Sequence, residues 1–200
     1  VVDLFGALMR GSGKTTDSAP VRVEVAGVPM SIPANMIRYA GERGGALEQI
    51  DLFFHWPSLS GFSEEHAQAF RRSDANAPVI LMRVLGPDSR LPPSERLYRI
   101  YEELFQGAPV EGPGGLTGRR IAPGHGYDGD MIYYQADSDR PYVARCGQDE
   151  AAPVPSCLRE VTVSPGLAVH YRFGKGLLGD WRQVDAAVVA LVEAFVATAR

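Results

Sequence analysis

The 200 residues carry 45% apolar and 22% charged side chains, with 20 basic residues against 24 acidic ones and a net charge of -4. That balance excludes a wholly disordered chain, a collagen-like repeat and a polytopic membrane protein. It also lacks the global positive field on which non-specific nucleic-acid binding rests.

Residues 1–20 read as a tether, an apolar stub followed by Arg10-Gly11-Ser12-Gly13-Lys14-Thr15-Thr16-Asp17-Ser18-Ala19-Pro20. The apolar start followed by a Gly/Ser/Thr linker predicts the exit from an N-terminal membrane anchor. Gly11 to Thr16 imitates the tail of a phosphate-binding loop, but the position that needs the first glycine is Leu8. Asp17-Ser18-Ala19-Pro20 would also abort the helix whose N–H groups must converge on the anion. The segment is read as a linker, and no nucleotide is expected.

Residues 21–200 read as a single domain. Val21, Val23 and Val25 alternate with Arg22 and Glu24, the period of a half-buried strand, and Ala26-Gly27-Val28 turns the chain into a second strand through Ile32. Ala34 to Ala40 predicts one short helical turn. Leu47 to Trp56 is the next strand, with Ile50, Leu52, Phe54 and Trp56 on one face and Pro57 ending it. Pro78 to Leu85 is a nearly continuous apolar run and reads as a central strand.

Three helices carry start signals. Ser63 precedes Glu64-Glu65-His66-Ala67, with acidic residues in the first turn and Phe62 placed to staple onto Ala67. Ser94 follows Pro92-Pro93, and Leu97, Ile100, Tyr101, Leu104 and Phe105 keep helical spacing up to Gly107. Asp180 caps a stripe formed by Val184, Val188, Leu191 and Phe195. After Gly107, strands are predicted at 116–121, 131–135, 142–146, 158–163 and 167–173. The order predicts an α+β fold, a mostly antiparallel sheet with about three helices packed on one side of it.

Cys146 and Cys157 bracket a Pro-rich excursion between two of these strands, where they would face each other across a hairpin. Closing a loop of that size contributes about 2.5–3 kcal/mol in the chain-entropy model. Such a bond persists in an oxidising compartment; the alternative is two unrelated buried thiols in the cytosol. Of the basic residues only Lys14 and Lys175 are lysines. The arginine excess reads either as anion recognition through bidentate forks or as codon usage, and its scatter along the chain favours the second. Arg71-Arg72 and Arg119-Arg120 read as solvated surface.

The histidines stand at 55, 66, 125 and 170 without any metal-ligand spacing, and no cofactor fingerprint or nucleophile elbow is present, so neither metal nor cofactor is expected. His55 and His170 fall on strands, and His66 in a first helical turn. The one local cluster of chemistry-bearing residues is Pro123 to Asp130, with His125, Tyr127, Asp128 and Asp130 among glycines. Its carboxylates could hold a hard cation, or His125 could pair with Asp128 for proton transfer. A polar hairpin loop of turn-forming residues accounts for the same composition.

Several fragments together carry a resemblance: Ile32-Pro33-Ala34-Asn35-Met36-Ile37-Arg38, Asp51-Leu52-Phe53-Phe54-His55-Trp56-Pro57, Tyr98 to Phe105, Gly115-Leu116-Thr117, the cysteine pair, Tyr171-Arg172-Phe173 and Trp181. Over most of residues 21–200 the chain resembles an uncharacterised Gram-negative bacterial family of single-pass inner-membrane proteins with an exported, periplasmic domain. The resemblance implies an inner-membrane anchor and a periplasmic location, and it carries no catalytic residue. The sequence therefore predicts a non-catalytic interaction or accessory domain with a protein partner at or near the inner membrane. The alternatives are an exported hydrolase using His125 or His170 with a carboxylate, and a small-ligand or cation receptor centred on 123–130.

Overall fold

The computed structural model describes residues 13–72, 74–87, 92–124, 126, 129–147, 157–164 and 166–199. The valine alternation forms β1 (Pro20–Val25), which pairs antiparallel with β2 (Val28–Pro33), and a short β3 (Ala46–Leu47) adds parallel to β1. Between β1 and β2 the chain reverses over Ala26 and Gly27, whose φ values of 50° and 82° are both positive, as the tightest hairpins require. Ahead of β1, the Lys14 ammonium donates to the Phe70 carbonyl at 3.1 Å and lies over the Phe62 ring.

The remaining strands are β4 (Gln49–His55), β5 (Val79–Leu85), β6 (Phe105–Glu111), β7 (Thr117–Ile121), β8 (Met131–Tyr134), β9 (Val143–Cys146), β10 (Cys157–Ser164) and β11 (Leu167–Phe173). They form one eight-stranded sheet in the order β4-β5-β11-β10-β9-β8-β7-β6, antiparallel at every pairing. A meander from β6 to β11 thus returns to β5, which becomes an interior strand as its apolar run predicts. Strand β6 was not legible: Gly107, read as a helix stop, lies inside it at a positive φ of 75°, where the register with β7 shifts.

Two helices form among the described residues, not about three. Residues 93–104 make α1, with a π turn over Leu97–Tyr101 between short α-helical ends. The second is α2 (Trp181–Ala197), which buries Trp181, Val184, Val188, Val192 and Phe195 at helical spacing. The helix expected after Ser63 is replaced by turns and one 3-10 turn, Ala69–Arg71. Ser63 does cap locally, its Oγ accepting the His66 N–H at 3.3 Å. The segment is too short and too poor in apolar residues to bury a helical stripe. Its rings pack singly instead: Phe70 lies edge-on to Phe53 and to Phe62 at 4.9 and 5.5 Å.

The expectation that helices share one side of the sheet is also corrected. On the first face, Ile50, Leu52, Phe54, Ile80, Met82, Val84, Val169, Tyr171 and Phe173 join the small sheet and α2 in the main core. Helix α2 lies against β2 and β10. On the opposite face, α1 covers the other end of the sheet, where Leu97 and Tyr101 pack on Ile121, Ile132 and Val143. Strands β8 and β9 present apolar residues on both faces, so each face demands its own cover.

Gly114, in the connection between β6 and β7, ties that loop to the start of α2. Its φ is 65°, and its carbonyl accepts from the Trp181 indole at 3.1 Å and from Arg182 at 3.2 Å. A Cβ there would stand 2.8 Å from the Gly179 carbonyl oxygen and 2.9 Å from the Trp181 ring. Gly114→Ala is therefore expected to cost about 1–3 kcal/mol, from left-handed backbone and crowding together. Urea unfolding of the variant checks this, and an unchanged midpoint would refute it.

Candidate functional site: an arginine-lined sheet face

Strand alternation that buries Met82, Val84, Val169 and Tyr171 sends their neighbours to the other side. The antiparallel register then aligns two ladders across that face. Asp51 on β4 stands opposite Arg83 on β5, which stands opposite His170 on β11, which stands opposite Glu160 on β10. In the adjacent ladder Leu81, Arg172, Leu158 and Arg145 follow one another across β5, β11, β10 and β9. Helix α1 covers only the far end of this face, so the near end is an open cleft of ≈ 310 Å³.

The carboxylates at the cleft are already engaged. Arg83 grips Asp51 with two hydrogen bonds of 2.9 and 3.1 Å. Arg96, reaching over from α1, pairs with Glu160 at 2.9 Å, both side chains being mostly buried. Burial pulls the Arg96 guanidinium down, yet hydrogen bonds to Glu160 and Tyr101 hold it above its ordinary value. Arg145 pairs with Asp130 at 3.4 Å. The Asp51 strand is itself anchored, its N–H donating to the buried Glu42 carboxylate at 2.9 Å and its carbonyl accepting from the Arg38 N–H.

Arg172 is different. It lines the cleft beside Arg38, and among the described residues no carboxylate lies within ion-pair distance of either guanidinium. Burial, then the positive charges of Arg145 and Arg83, push Arg172 below its ordinary value. Leu81 and Leu158 add apolar patches between the charges. Such a surface offers planar, bidentate donors to an oxyanion and apolar contact to the carbons that carry it.

Of the loop candidates, His125, Tyr127 and Asp128 lie outside the described residues. Asp130 is described, and the ion pair with Arg145 ties it to the far margin of the arginine face. Among the described residues no three His, Cys, Asp or Glu side chains group as metal ligands. His170 stands in the cleft, whereas His55 and His66 stack on one another elsewhere with ring centroids 3.9 Å apart. Burial, then the neighbouring His66, lowers the His55 pKa below its ordinary value, against the pull of Glu65. Stability linked to this group is present above the ordinary histidine range and declines as pH falls through it. His66→Ala is expected to raise the His55 titration midpoint in a proton NMR titration; an unmoved midpoint would remove the proposed coupling.

The cysteines pair as expected: Cys146 and Cys157 are directly opposite on β9 and β10, with Cα atoms 4.0 Å apart and a disulfide between them. Sequence reasoning passed over Arg38, Arg83 and Arg172 as functional residues. A signal was available, because Arg83 stands in an otherwise apolar strand and Arg172 alternates with His170 in the next, where a fully covered interior strand would stay apolar.

No protein-family model matches the chain, and no curated protein matches it at a significant level. Two solved structures are similar in fold. One is an immunity protein of the Stenotrophomonas maltophilia type IV secretion system, 17% identical with a TM-score of 0.58, the alignment covering 89% of this chain and 93% of that one. The other is the Neisseria meningitidis iron-regulated outer membrane lipoprotein FrpD, 16% identical with a TM-score of 0.53, covering 92% of this chain and 96% of that one. At these identities the likeness extends to the fold.

Proposed function

We propose that this chain is a non-catalytic protein-interaction domain of the bacterial periplasm, carried by an N-terminal inner-membrane anchor, and that it binds its partner through the open half of the large sheet. The observation that carries the reading is that half-face. The small sheet and α2 cover one side of the sheet and α1 covers the far end of the other, while the remainder presents Arg83, His170 and Arg172 from its strands, with Arg38 beside them from the bend that follows the Ile37–Leu52 bridge. Charged side chains fixed by sheet register are preorganised for a partner and cost little ordering on binding.

The Cys146–Cys157 disulfide supports an oxidising compartment. The two fold neighbours, an immunity protein and an outer membrane lipoprotein, agree with an envelope role. The hydrolase alternative is less well served, because Glu160, the carboxylate opposite His170, is held by Arg96. The test is site-specific photo-crosslinking in the native host, with a benzophenone amino acid at Leu158 in the cleft and at exposed Val110 on β6 as the control. A discrete protein adduct from Leu158 and none from Val110 is expected. Equal adducts from both, or none from Leu158, would overturn the assignment.

A further inference from the structure

We propose that the cleft is an anion site for an acidic segment of a protein partner, with Arg172 and Arg38 as the cations that receive its carboxylates. This rests on the reading that the open half-face binds protein. Five arginines gather at the cleft and its margins (Arg38, Arg83, Arg96, Arg145 and Arg172), and three of them already hold Asp51, Glu160 and Asp130. Among the described residues two guanidinium groups are thus left without a carboxylate, in a chain whose net charge is -4. The surplus is local, and the fold sustains it at a Coulombic cost, since Arg172 is flanked by Arg83 and Arg145. An incoming carboxylate removes that repulsion and accepts paired N–H donors from a guanidinium fork.

The surroundings favour a carboxylate on a peptide over a small free anion. Leu81 and Leu158 border Arg172 along its own ladder, on β5 and β10. They provide apolar contact for the methylene groups of a glutamate side chain. The cleft is open along the sheet, so it admits a chain segment running past it. The engaged carboxylates Asp51 and Glu160 at its sides repel an acidic segment that strays from the register of Arg172, which sets its position.

The experiment is calorimetric titration of the oxidised protein at low ionic strength with an acetylated, amidated tetraglutamate peptide, and in parallel with the tetraglutamine peptide and inorganic phosphate. The glutamate peptide is expected to bind, more weakly as salt is added, and the glutamine peptide to give no heat. Arg172→Gln and Arg38→Gln are each expected to weaken binding about tenfold or more. Arg172→Gln also relieves like-charge repulsion, so its melting temperature should not fall below that of the wild type. Unchanged affinity in both variants, equal binding of the glutamine peptide, or phosphate binding as tightly as the glutamate peptide would each overturn the proposal. A Leu158 crosslink that persists at full yield in Arg172→Gln would overturn the anion site while leaving the interaction reading in place. Loss of that crosslink in Arg172→Gln supports both.

Discussion

Replacing Asp185 by alanine is expected to destabilise the fold by about 3–5 kcal/mol, the cost of breaking a mostly buried ion pair. Asp185, on the second turn of α2, accepts the Tyr171 hydroxyl at 2.8 Å and the Arg159 guanidinium at 3.2 and 3.4 Å. Arg159 is 11% exposed in its side chain, and Tyr171 is fully buried. Removing the carboxylate leaves the Tyr171 phenol without its acceptor and the Arg159 guanidinium without its counter-charge, with the Glu160 carbonyl still accepting from it at 2.8 Å. Burial already makes the Tyr171 phenol harder to ionise, so the phenol cannot ease the loss by changing its charge. Asp185→Asn keeps an acceptor for the phenol and should cost distinctly less than Asp185→Ala. Thermal unfolding checks the pair: a fall of about 6–20 °C is expected for Ala, given about 2–4 °C per kcal/mol in a chain of this size. Equal, small effects from both substitutions would show that the helix docks without this contact.

The Cys146→Ala/Cys157→Ala double variant is expected to lose about 3 kcal/mol. The bond closes a loop of sequence separation 11, and that constraint on the unfolded chain is what the variant gives up. Both cysteines are fully buried in the main core, so alanine also sacrifices some packing. Urea unfolding of the wild type with and without reductant provides the second arm. Reduced wild type should unfold at a lower urea midpoint than oxidised wild type, and reductant should leave the double variant unmoved. A midpoint insensitive to both changes would refute the stabilising role. In material from the native host, both thiols are expected to resist alkylation until reduced, and free thiols there would remove the support for a periplasmic location.

The elements read correctly from the sequence are those whose signals are local. Val21-Val23-Val25 and Ile50-Leu52-Phe54 show the two-residue period of strands, and Val184-Val188 the helical one. The cysteine pair was legible because each residue sits at the end of a recognisable strand. The Ser63 segment misled because its cap chemistry is genuine while its apolar stripe is too small to be buried as a helix. Strand β6 hid behind Gly107, since Phe105-Gln106-Gly107-Ala108-Pro109 has neither period and pairs only because β7 offers an edge.

The arginine face marks where reading along the chain stops. Arg38, Arg83, Arg145 and Arg172 are each separated from the next by tens of positions, and as a list they are indistinguishable from compositional scatter. The sequence alone determined which side of its own strand Arg83, Arg145 and Arg172 each take, because alternation is a property of neighbouring residues, whereas Arg38 stands in a bend. Only the tertiary structure decided that those sides coincide, that α1 closes one end of the face and not the other, and that the carboxylates present are consumed before Arg172 is reached. The reason is that antiparallel register joins residues through hydrogen bonds between distant segments, and no local pattern encodes which strand will be a neighbour.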